Sequence, residues 1–469
     1  MTSVLFVSPE CAPMTKVGGL GDVSAALPAA LRSAGIDARV LIPGYAGVRD
    51  VLAEARPLAE LNVLGSACRL LEHDALLVLD CPALYVRDGN PYQTQEGSDW
   101  EDNALRFAVL SRVAGVLGSA STPLAWRPHV VHCHDWPAAL APLYLQDGGP
   151  RAATLMTIHN LAFQGNFDAS LLEPLQLPPW AWTVEGAEFY GRLSFLKAGL
   201  AYADALSTVS PTYAREIQTP DFGSGLDGLL RKRRDVLTGI LNGIDTAIWD
   251  PARDPRIAQP YDERNLEAKA VNKAALQARM GLAIDDDIPL IGLVGRFTHQ
   301  KGIDLVAAAG DELAAMPAQL ALLGKGERAF ETALADLAAR HPGRIALHVG
   351  FSEDLAHLIE AGADVFLMPS RFEPCGLNQM YSQRYGTPPV ARATGGLIDT
   401  VQDGVTGFLF EREDPEAVVG ALRRALAAYR DSARWRRIQR AAMARDFSWE
   451  AAARRYADLY QRLARQPQA

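Results

Sequence analysis

The sequence predicts an α/β protein of two Rossmann-like domains, each with a doubly wound parallel sheet, facing each other across a cleft. Three observations support this fold class. The chain has 469 residues, about three times the length of a common single domain of roughly 150 residues. Its first half alternates short apolar runs with amphipathic stretches, and its second half repeats that alternation. Between the halves lies a polar stretch containing Pro251, Pro255 and Pro260, which is typical of a domain junction.

Strands are predicted where near-continuous apolar runs are bounded by turn-forming residues, because such runs are typical of a buried parallel sheet. In the first half these runs are 4–8, 38–42, 75–80, 129–133, 153–158 and 205–209. In the second half they are 289–295, 319–323, 344–349, 364–368 and 389–391. After Asp414 the pattern becomes helical and ends in an amphipathic run from Trp449 to Leu463.

These elements predict an N-terminal domain over 1–245, a second domain over 246–445, and a C-terminal helix over 446–469. We expect that helix to pack back on the first domain. We also expect a hinge near 240–265, because the polar, proline-containing stretch falls there.

Composition and charge argue against several functional classes. The net charge of −9 argues against a nucleic-acid partner, since phosphate backbones are bound by basic surfaces. No apolar run approaches the roughly 20 residues of a membrane span, and no basic segment precedes the first apolar run, so we predict a cytoplasmic protein. The cysteines are scattered without a C-x-x-C pair, so neither a disulfide framework nor a Cys-rich zinc site is supported. They are Cys11, Cys68, Cys81, Cys133 and Cys375.

A glycine-rich stretch, Lys16-Val17-Gly18-Gly19-Leu20-Gly21-Asp22, joins the first predicted strand to a helix that runs to about Ser33. Glycines permit close backbone approach, a helix N-terminus presents N–H groups to an anion, and Lys16 adds a charge. The stretch matches neither the dinucleotide fingerprint nor the P-loop pattern, so a purely structural turn remains an equal interpretation. Its place at the carboxyl end of a strand favours anion binding.

A second cluster, G-R-F-T-H-Q-K-G over 295–302, follows the first strand of the second half. Arg296 and Lys301 stand five residues apart across a loop. This spacing predicts a phosphate site in which Arg296 binds two oxygens and Lys301 neutralises another. A structural ion pair would more usually have the i,i+4 spacing of a helix face.

A third cluster, P-S-R-F-E-P-C-G-L over 369–377, follows the predicted strand 364–368. Pro374 predicts a rigid turn and Gly376 the start of a helix, so Glu373 is expected at the sheet edge beside helix amides. There it can accept hydrogen bonds from the two vicinal hydroxyls of a ribose, although a simple helix cap is the alternative. The segment 394–396, Thr-Gly-Gly, predicts an amide nest for pyrophosphate.

Histidines accompany two strands of the first half. His129, His132, His134 and Asp135 suggest a metal cluster, but strand alternation places His132 and His134 on one face and the cysteine between them on the other. We therefore favour a strand that ends at the cleft and presents Asp135 there.

His159 and Asn160, followed by Gln164 and Gly165, end the strand predicted over 153–158. A lone histidine at such a position is a core residue at least as often as a ligand. Five separate strand-end motifs agree, however, and their agreement favours a functional role for His159.

The ordered set of motifs resembles the bacterial glycogen synthases over essentially the whole chain. The R-x-x-x-x-K and E-P-C-G-L elements alone would indicate only retaining glycosyltransferases of the GT-B class; the K-V-G-G-L start and the N-G-I-D segment indicate glycogen and starch synthases. The motifs are K-V-G-G-L-G-D (16–22), H-C-H-D-W (132–136), I-H-N-L-A-F-Q-G (158–165), T-V-S-P-T-Y-A-R-E-I-Q-T-P (208–220), G-L-D-G-L-L (225–230), I-L-N-G-I-D (240–245), G-R-F-T-H-Q-K-G (295–302), S-R-F-E-P-C-G-L (370–377) and T-G-G-L-I-D-T-V (394–401).

The resemblance implies a GT-B fold and a retaining hexosyltransferase that transfers glucose from ADP-glucose to an α-1,4-glucan. It implies no cofactor, no metal, and no nucleic-acid or membrane partner, and it leaves homo-oligomerisation open. The implied catalytic residues are Lys16, His159, Arg296, Lys301 and Glu373. The implied substrate-binding residues are Gly18, Gly19, Asp22, Asp135, Asn160, Gln164, Asn242, Cys375, Gly376, Leu377, Thr394, Gly395 and Gly396.

The same resemblance assigns roles within this set. Arg296 and Lys301 would stabilise the departing diphosphate, and Lys16 with the 18–19 amides would face the phosphates. Glu373 would lie near the donor, and the 375–377 amides would contact glucose hydroxyls. His159 and Asn242 would position the sugar, and Asp135 would line the acceptor side.

Departures from the family pattern leave the choice between ADP-glucose and UDP-glucose open. His299 stands where aspartate is common, Asn378 stands where threonine is common, and Lys325 adds a cation.

Other activities fit less well. A pyridoxal-phosphate-dependent phosphorylase would need a Schiff-base lysine, but Lys301 and Lys325, the only lysines after Lys273, already have anion-binding interpretations. The intact charged positions argue against a catalytically silent glucan-binding protein. A glycosidase is disfavoured because no paired carboxylates with suitable placement are evident.

Overall fold

The computed structural model describes residues 1–146 and 149–465, which form two compact units. The first unit is Met1–Gly243 with the C-terminal segment that begins at Trp449, and the second is Ile244–Ser448. The C-terminal helix spans Trp449–Arg465. The last four positions of the predicted 446–469 segment lie outside the described residues.

The first unit contains a mixed sheet with the strand order β12-β11-β7-β6-β1-β2-β5-β4-β3 and a small antiparallel sheet, β8-β10-β9. The large sheet is parallel except near one edge, where β4 pairs antiparallel with both β5 and β3. The strands are β1 Ser3–Val7, β2 Asp37–Pro43, β3 Arg56–Val63, β4 Ser66–His73, β5 Leu76–Asp80, β6 Val130–His134, β7 Ala153–Ile158, β8 Asn166–Phe167, β9 Glu188–Phe189, β10 Arg192–Ser194, β11 Ala205–Thr208 and β12 Leu237–Gly239.

Helices cover both faces of this sheet, and every residue of β1, β6 and β7 is buried. This explains their near-continuous apolar character, since a central parallel strand has no solvent-facing side. The helices are α1 Gly19–Ser33, α2 Arg49–Glu54, α3 Pro82–Tyr85, α4 Asn103–Gly118, α5 Asp135–Ala138, α6 Ala141–Tyr144, α7 Phe195–Tyr202, α8 Pro211–Glu216 and α9 Asp227–Lys232.

The C-terminal helix completes the first unit by packing against α1 and contacting β6 and β7. Its buried residues include Trp449, Ala453, Tyr456, Tyr460 and Leu463, whose spacing of three and four forms a single apolar stripe.

The second unit has a parallel six-stranded sheet among its described residues, in the order β15-β14-β13-β16-β17-β18. This is the order of a Rossmann sheet, in which the chain builds outward from the first strand in one direction and then in the other. The strands are β13 Leu290–Phe297, β14 Gln319–Gly326, β15 Ile345–Val349, β16 Val365–Met368, β17 Pro389–Arg392 and β18 Phe408–Phe410.

Helices also flank the second sheet, and apolar clusters fill the space on its two faces. The helices are α10 Lys269–Met280, α11 Ile303–Ala308, α12 Gly310–Ala315, α13 Arg328–Arg340, α14 Glu353–Gly362, α15 Asn378–Arg384, α16 Gly395–Thr400, α17 Pro415–Tyr429 and α18 Ser432–Met443. Among the described residues, no helix combines the length and apolar character needed to cross a bilayer.

Candidate active site

In each unit, predicted site residues follow the strands that flank the point where the strand order reverses. That point lies between β1 and β6 in the first unit and between β13 and β16 in the second. Ligands of open α/β sheets bind at the carboxyl ends of such strands, because the loops that follow them diverge and leave a crevice. The topology thus brings the motifs of each half of the sequence to one sheet edge.

Glu10 organises the loop between β1 and α1, and the sequence motifs had not indicated it. Its buried carboxylate accepts hydrogen bonds at Oε2 from the backbone amides of Val17 (2.7 Å) and Gly18 (3.1 Å). Its Oε1 accepts a hydrogen bond from the Tyr92 hydroxyl at 2.6 Å. The predicted anion contact through the Gly18 amide is therefore not supported, because Glu10 already occupies that amide. An acidic residue just after the first strand was the available signal.

Lys16 and Asp22 form an ion pair, with 2.8 Å between Nζ and Oδ1. Asp22 lies in the first turn of α1, where the helix dipole favours a carboxylate. A Cβ on Gly21 would lie only 3.1 Å from the Lys16 Cγ, so this glycine leaves room for the lysine stem. The structure therefore gives Asp22 the role of orienting Lys16.

Asp135 begins α5 directly after β6 and adopts a left-handed backbone conformation, with φ of 53°. Non-glycine residues with this conformation are uncommon and often occur at functional sites. Its Oδ1 accepts a hydrogen bond from the backbone amide of His159 at 2.7 Å. Burial, together with the nearby Glu10 carboxylate, raises the pKa of Asp135 to about 7, against the opposing effect of hydrogen bonds from the amides of His159 and Asn160.

The histidines of β6 lie on one face, as predicted, with 4.0 Å between the ring centroids of His132 and His134. His132 bonds the hydroxyls of Tyr460 (2.8 Å) and Thr157 (2.5 Å), and His134 Nδ1 lies 2.9 Å from His159 Nε2. Burial lowers the pKa of all three, that of His159 to about 3, so the rings are neutral at pH 7. Within 1–146 and 149–465, no group of three or more His, Cys, Asp or Glu side chains is arranged so that it could hold a metal ion.

The amide side chains predicted to bind substrate have different environments. Asn160 Oδ1 accepts the amide of Ala162 in a local turn. Gln164 donates to the Ser224 carbonyl and accepts from Asn166, so the structure corrects its predicted role to one of holding this loop. The Oδ1 atom of Asn242 is buried without a hydrogen-bond partner in the described part of the chain and remains available as an acceptor.

In the second unit, Lys301 and Glu373 form an ion pair, with 2.5 Å between Nζ and Oε2. The same carboxylate oxygen accepts the Ser370 hydroxyl at 3.1 Å. The loops that carry the pair lie close together: Gly302 has φ of 67°, and a Cβ on it would lie 2.0 Å from the Pro369 carbonyl oxygen. Glu373, predicted to contact a ribose, therefore also positions the Lys301 ammonium.

Arg296 lies near the carboxyl end of β13 and is exposed. Its guanidinium contacts no carboxylate within the part of the chain that the structure describes. In contrast, Arg371 forms a bidentate pair with Asp304 at 2.6 and 2.8 Å. The chain thus uses Arg371 to support the loop and leaves Arg296 available to an anionic ligand.

The prediction that the segment 394–396 forms an amide nest for pyrophosphate is wrong for the amides of Thr394 and Gly396. The Thr394 amide donates to the Arg392 carbonyl and the Gly396 amide donates to the Glu373 carbonyl, at 2.9 and 3.0 Å. A Cβ on Gly396 would lie 2.2 Å from the Cys375 carbonyl oxygen, so this glycine permits one loop to support the other. The segment therefore holds the Glu373 loop.

The segment 375–377 has backbone N–H groups that are available to donate hydrogen bonds to a ligand. The amides of Gly376 and Leu377 donate no hydrogen bond to any group in the described part of the chain. The following helix, α15, begins at Asn378, two residues later than the predicted start at Gly376. The two amides therefore precede the helix and stay available as hydrogen-bond donors.

Comparisons with known proteins match nearly the whole chain. Residues 3–232 match the family of starch synthase catalytic domains, and residues 277–442 match the glycosyl transferases of group 1. A glycogen synthase from Aromatoleum aromaticum is 56% identical, over 97% of this chain and 96% of that protein. A second, from Nitrosomonas eutropha, is 52% identical over 97% and 95%.

Solved structures agree with these matches. The catalytic domain of starch synthase IV from Arabidopsis thaliana, bound to ADP and acarbose, is similar with a TM-score of 0.87 and 31% identity over 99% of both chains. A sucrose-phosphate synthase from Thermosynechococcus elongatus has a TM-score of 0.63 at 20% identity, with 99% of both chains covered, and shares the GT-B fold.

Proposed function

Because the chain belongs to the family of the glycogen synthases and starch synthase catalytic domains, we propose that it extends glycogen. It transfers glucose from ADP-glucose to the non-reducing end of an α-1,4-glucan, with retention at the anomeric carbon and release of ADP. Relatives more than 50% identical over nearly the whole chain are glycogen synthases, and a similar structure holds ADP.

The proposal rests mainly on the arrangement of charged side chains at the carboxyl ends of β13 and β16. Arg296 has no carboxylate partner in the described residues, and Lys301 is held by Glu373 at 2.5 Å. A departing nucleoside diphosphate gains negative charge as its bond to glucose breaks. Fixed cations at that position stabilise the transition state more than the ground state, which is what accelerates the reaction.

The remaining residues would bind the sugar, the acceptor and the phosphates. The free amides of Gly376 and Leu377 suit glucose hydroxyls, and the unpartnered Oδ1 of Asn242 suits a hydroxyl donor. We assign His159 to the sugar, Asp135 to the acceptor side and Lys16 to the phosphates.

The glucosyl transfer that we propose needs no nucleophile from the protein. The bond between glucose C1 and the β-phosphate oxygen breaks, and a bond forms between C1 and the acceptor O4 on the same face. The hydroxyl proton of the acceptor passes to the departing phosphate oxygen. Because Arg296 and Lys301 neutralise that phosphate, no separate Lewis acid is required.

Incorporation of labelled glucose into glycogen, measured in parallel from ADP-glucose and UDP-glucose, tests the proposal. We expect incorporation from ADP-glucose, and we expect it to persist in excess EDTA because the cations are side chains. Incorporation from UDP-glucose alone would contradict the donor assignment. Absence of transfer from either donor would contradict the enzyme activity itself.

We also propose a cytoplasmic location. All five cysteines are buried free thiols, and cysteines generally remain reduced in the cytosol. Fractionation of cells that express the protein, with a cytoplasmic marker as the reference, provides the test.

A further inference from the structure

A second unpaired cation lies next to Arg296. In the parallel pairing of β13 and β14, Arg296 is the register partner of Lys325. Neighbouring strands lie about 4.8 Å apart and register partners project to the same side of the sheet, so both side chains leave the sheet edge together. Both are exposed.

The fold supplies no counter-charge for Lys325. The other lysines of the second unit have acceptors: Lys269 donates to backbone carbonyls, Lys273 pairs with Asp364 and Lys301 with Glu373. Lys325 has no hydrogen bond or ion pair in the described residues. Like charges directly opposite on adjacent strands destabilise a sheet, so this pair of cations is better explained by an anionic ligand than by the fold.

The nearby carboxylates are used in other ways. Glu327 Oε1 accepts the His299 amide at 3.3 Å, and Glu331 Oε1 accepts the Gly326 amide at 2.9 Å. These contacts hold the loops after β13 and β14. Neither carboxylate therefore pairs with the ammonium of Lys325, which has no partner among residues 1–146 and 149–465.

Tight backbone packing fixes the position of Lys325. A Cβ on Gly324 would lie 2.0 Å from the Gly295 carbonyl oxygen, and one on Gly326 would lie 2.2 Å from the Phe297 carbonyl oxygen. Both flanking residues must therefore be glycine, and the strand between them is held close against β13. Only the flexible stem of the lysine remains free to reach a ligand.

We propose that Lys325 is the third cation that the second unit contributes to the diphosphate site, after Arg296 and Lys301, and that it acts beside Arg296 on the phosphates of the nucleotide. This inference rests on the proposed function, which places the donor diphosphate at Arg296. Unlike Lys301, which Glu373 holds in place, Lys325 has no partner in the described residues that preorganises its ammonium, so we expect it to contribute to the affinity for donor and released diphosphate more than to the chemical step.

The test uses Lys325→Met, which keeps the aliphatic stem and removes the charge. We expect the Kd of ADP and the KM of ADP-glucose each to rise about tenfold while kcat stays within about twofold, the pattern of a lost uniform binding contact. Inhibition by inorganic pyrophosphate should weaken by the same factor, and Lys325→Arg should retain most of the affinity.

Arg340→Met is the matched control, since Arg340 is an exposed cation at the end of α13 whose one ion pair in the part of the chain that the structure describes is a 3.6 Å surface contact with Asp311. It should leave all these constants unchanged. An active wild-type enzyme whose Lys325→Met variant binds ADP normally would overturn this inference alone. Weakened ADP binding with unchanged pyrophosphate inhibition would overturn the phosphate contact. A wild-type protein that neither binds ADP nor uses ADP-glucose would overturn the proposed function together with this inference.

Discussion

At the residue scale, Lys301 and Glu373 act together, because the 2.5 Å contact between them fixes the position of the lysine ammonium. We expect Lys301→Met to lower kcat by about 10² or more, as when one preorganised electrostatic contact is lost. Glu373→Gln should also lower kcat, because the lysine loses its charged partner but keeps an acceptor. Steady-state kinetics at saturating ADP-glucose measures both effects.

Exposed Lys232, whose one ion pair among the described residues is with exposed Glu185 at 3.1 Å, provides a control for the loss of a lysine. Lys232→Met should retain the wild-type kcat. A Lys301→Met protein with full kcat and native circular dichroism would contradict the assigned role of Lys301.

The raised pKa of Asp135 predicts that the stability of the folded protein depends on pH. Its pKa is raised by burial to about 7 from a usual value of 3.8, so the folded state binds this proton more tightly than the unfolded state. The stabilisation is fully present below about pH 3.8 and is lost as pH rises to about 7.

Asp135→Asn removes the titration while keeping an oxygen for the His159 amide, and asparagine tolerates positive φ. The difference in unfolding free energy between wild type and Asp135→Asn should therefore change in favour of the variant between pH 4 and 7. Urea titrations at several pH values measure this difference, and parallel curves for the two proteins would contradict the raised pKa.

The sequence could indicate which residues carry chemistry, but not which of them touch. Arg296, Lys301 and Glu373 were predicted from strand ends and spacing. The pairing of Lys301 with Glu373 crosses 72 positions, and local patterns contain no such distance information. Glu10 escaped attention because a single acidic residue in a loop has no periodicity or motif of its own.

At the scale of elements, glycines determine how closely the site loops approach. Gly302→Ala combines a positive φ with a Cβ placed 2.0 Å from a carbonyl oxygen, so we expect a loss of at least about 2 kcal/mol of stability. Activity should fall with it, because Lys301 is the neighbouring residue. Thermal unfolding and kinetics together provide the measurement.

Gly420→Ala is the matched control. Gly420 lies inside α17, and a Cβ there would meet nothing within 4 Å. Alanine in a helix interior is favoured over glycine by about 0.5–1 kcal/mol, so this variant should be slightly more stable. A Gly302→Ala variant as stable as Gly420→Ala would show that the Pro369 loop can move aside.

Most strands with long apolar runs were predicted, whereas weakly buried strands and the short buried strand β18 were missed. Strand β7 was predicted with its observed bounds, 153–158, since central parallel strands are apolar on both faces. The edge strand β3 and its neighbour β4 were not predicted, because β3 is largely exposed and both mix charged with apolar residues. Strands β8 to β10 have two or three residues, too few for a periodic signal.

At the scale of the whole molecule, the first unit depends on both ends of the chain. Tyr460 of the C-terminal helix bonds His132 of β6 at 2.8 Å in a fully buried environment. Tyr460→Phe keeps the ring but leaves a buried histidine nitrogen without its partner, which should cost about 1–3 kcal/mol. Tyr460→Ala should cost more, about 3–5 kcal/mol, because a cavity is added.

Urea unfolding followed by tryptophan fluorescence measures these losses. Tyr190→Phe, at a position 82% exposed, should be neutral. Equal stability of Tyr460→Phe and wild type would mean that the hydroxyl contributes nothing to anchoring the helix.

The discontinuity of the first unit has a consequence for biosynthesis. Residues 244–448 leave the ribosome before the helix that begins at Trp449, so the second unit can reach its native state while the first still lacks a structural part. Domains usually fold in order of synthesis. Here the first unit, most of which is translated first, completes its folding last. Until the C-terminal helix is made, the surfaces of α1 and β6 that it will cover are accessible to chaperones.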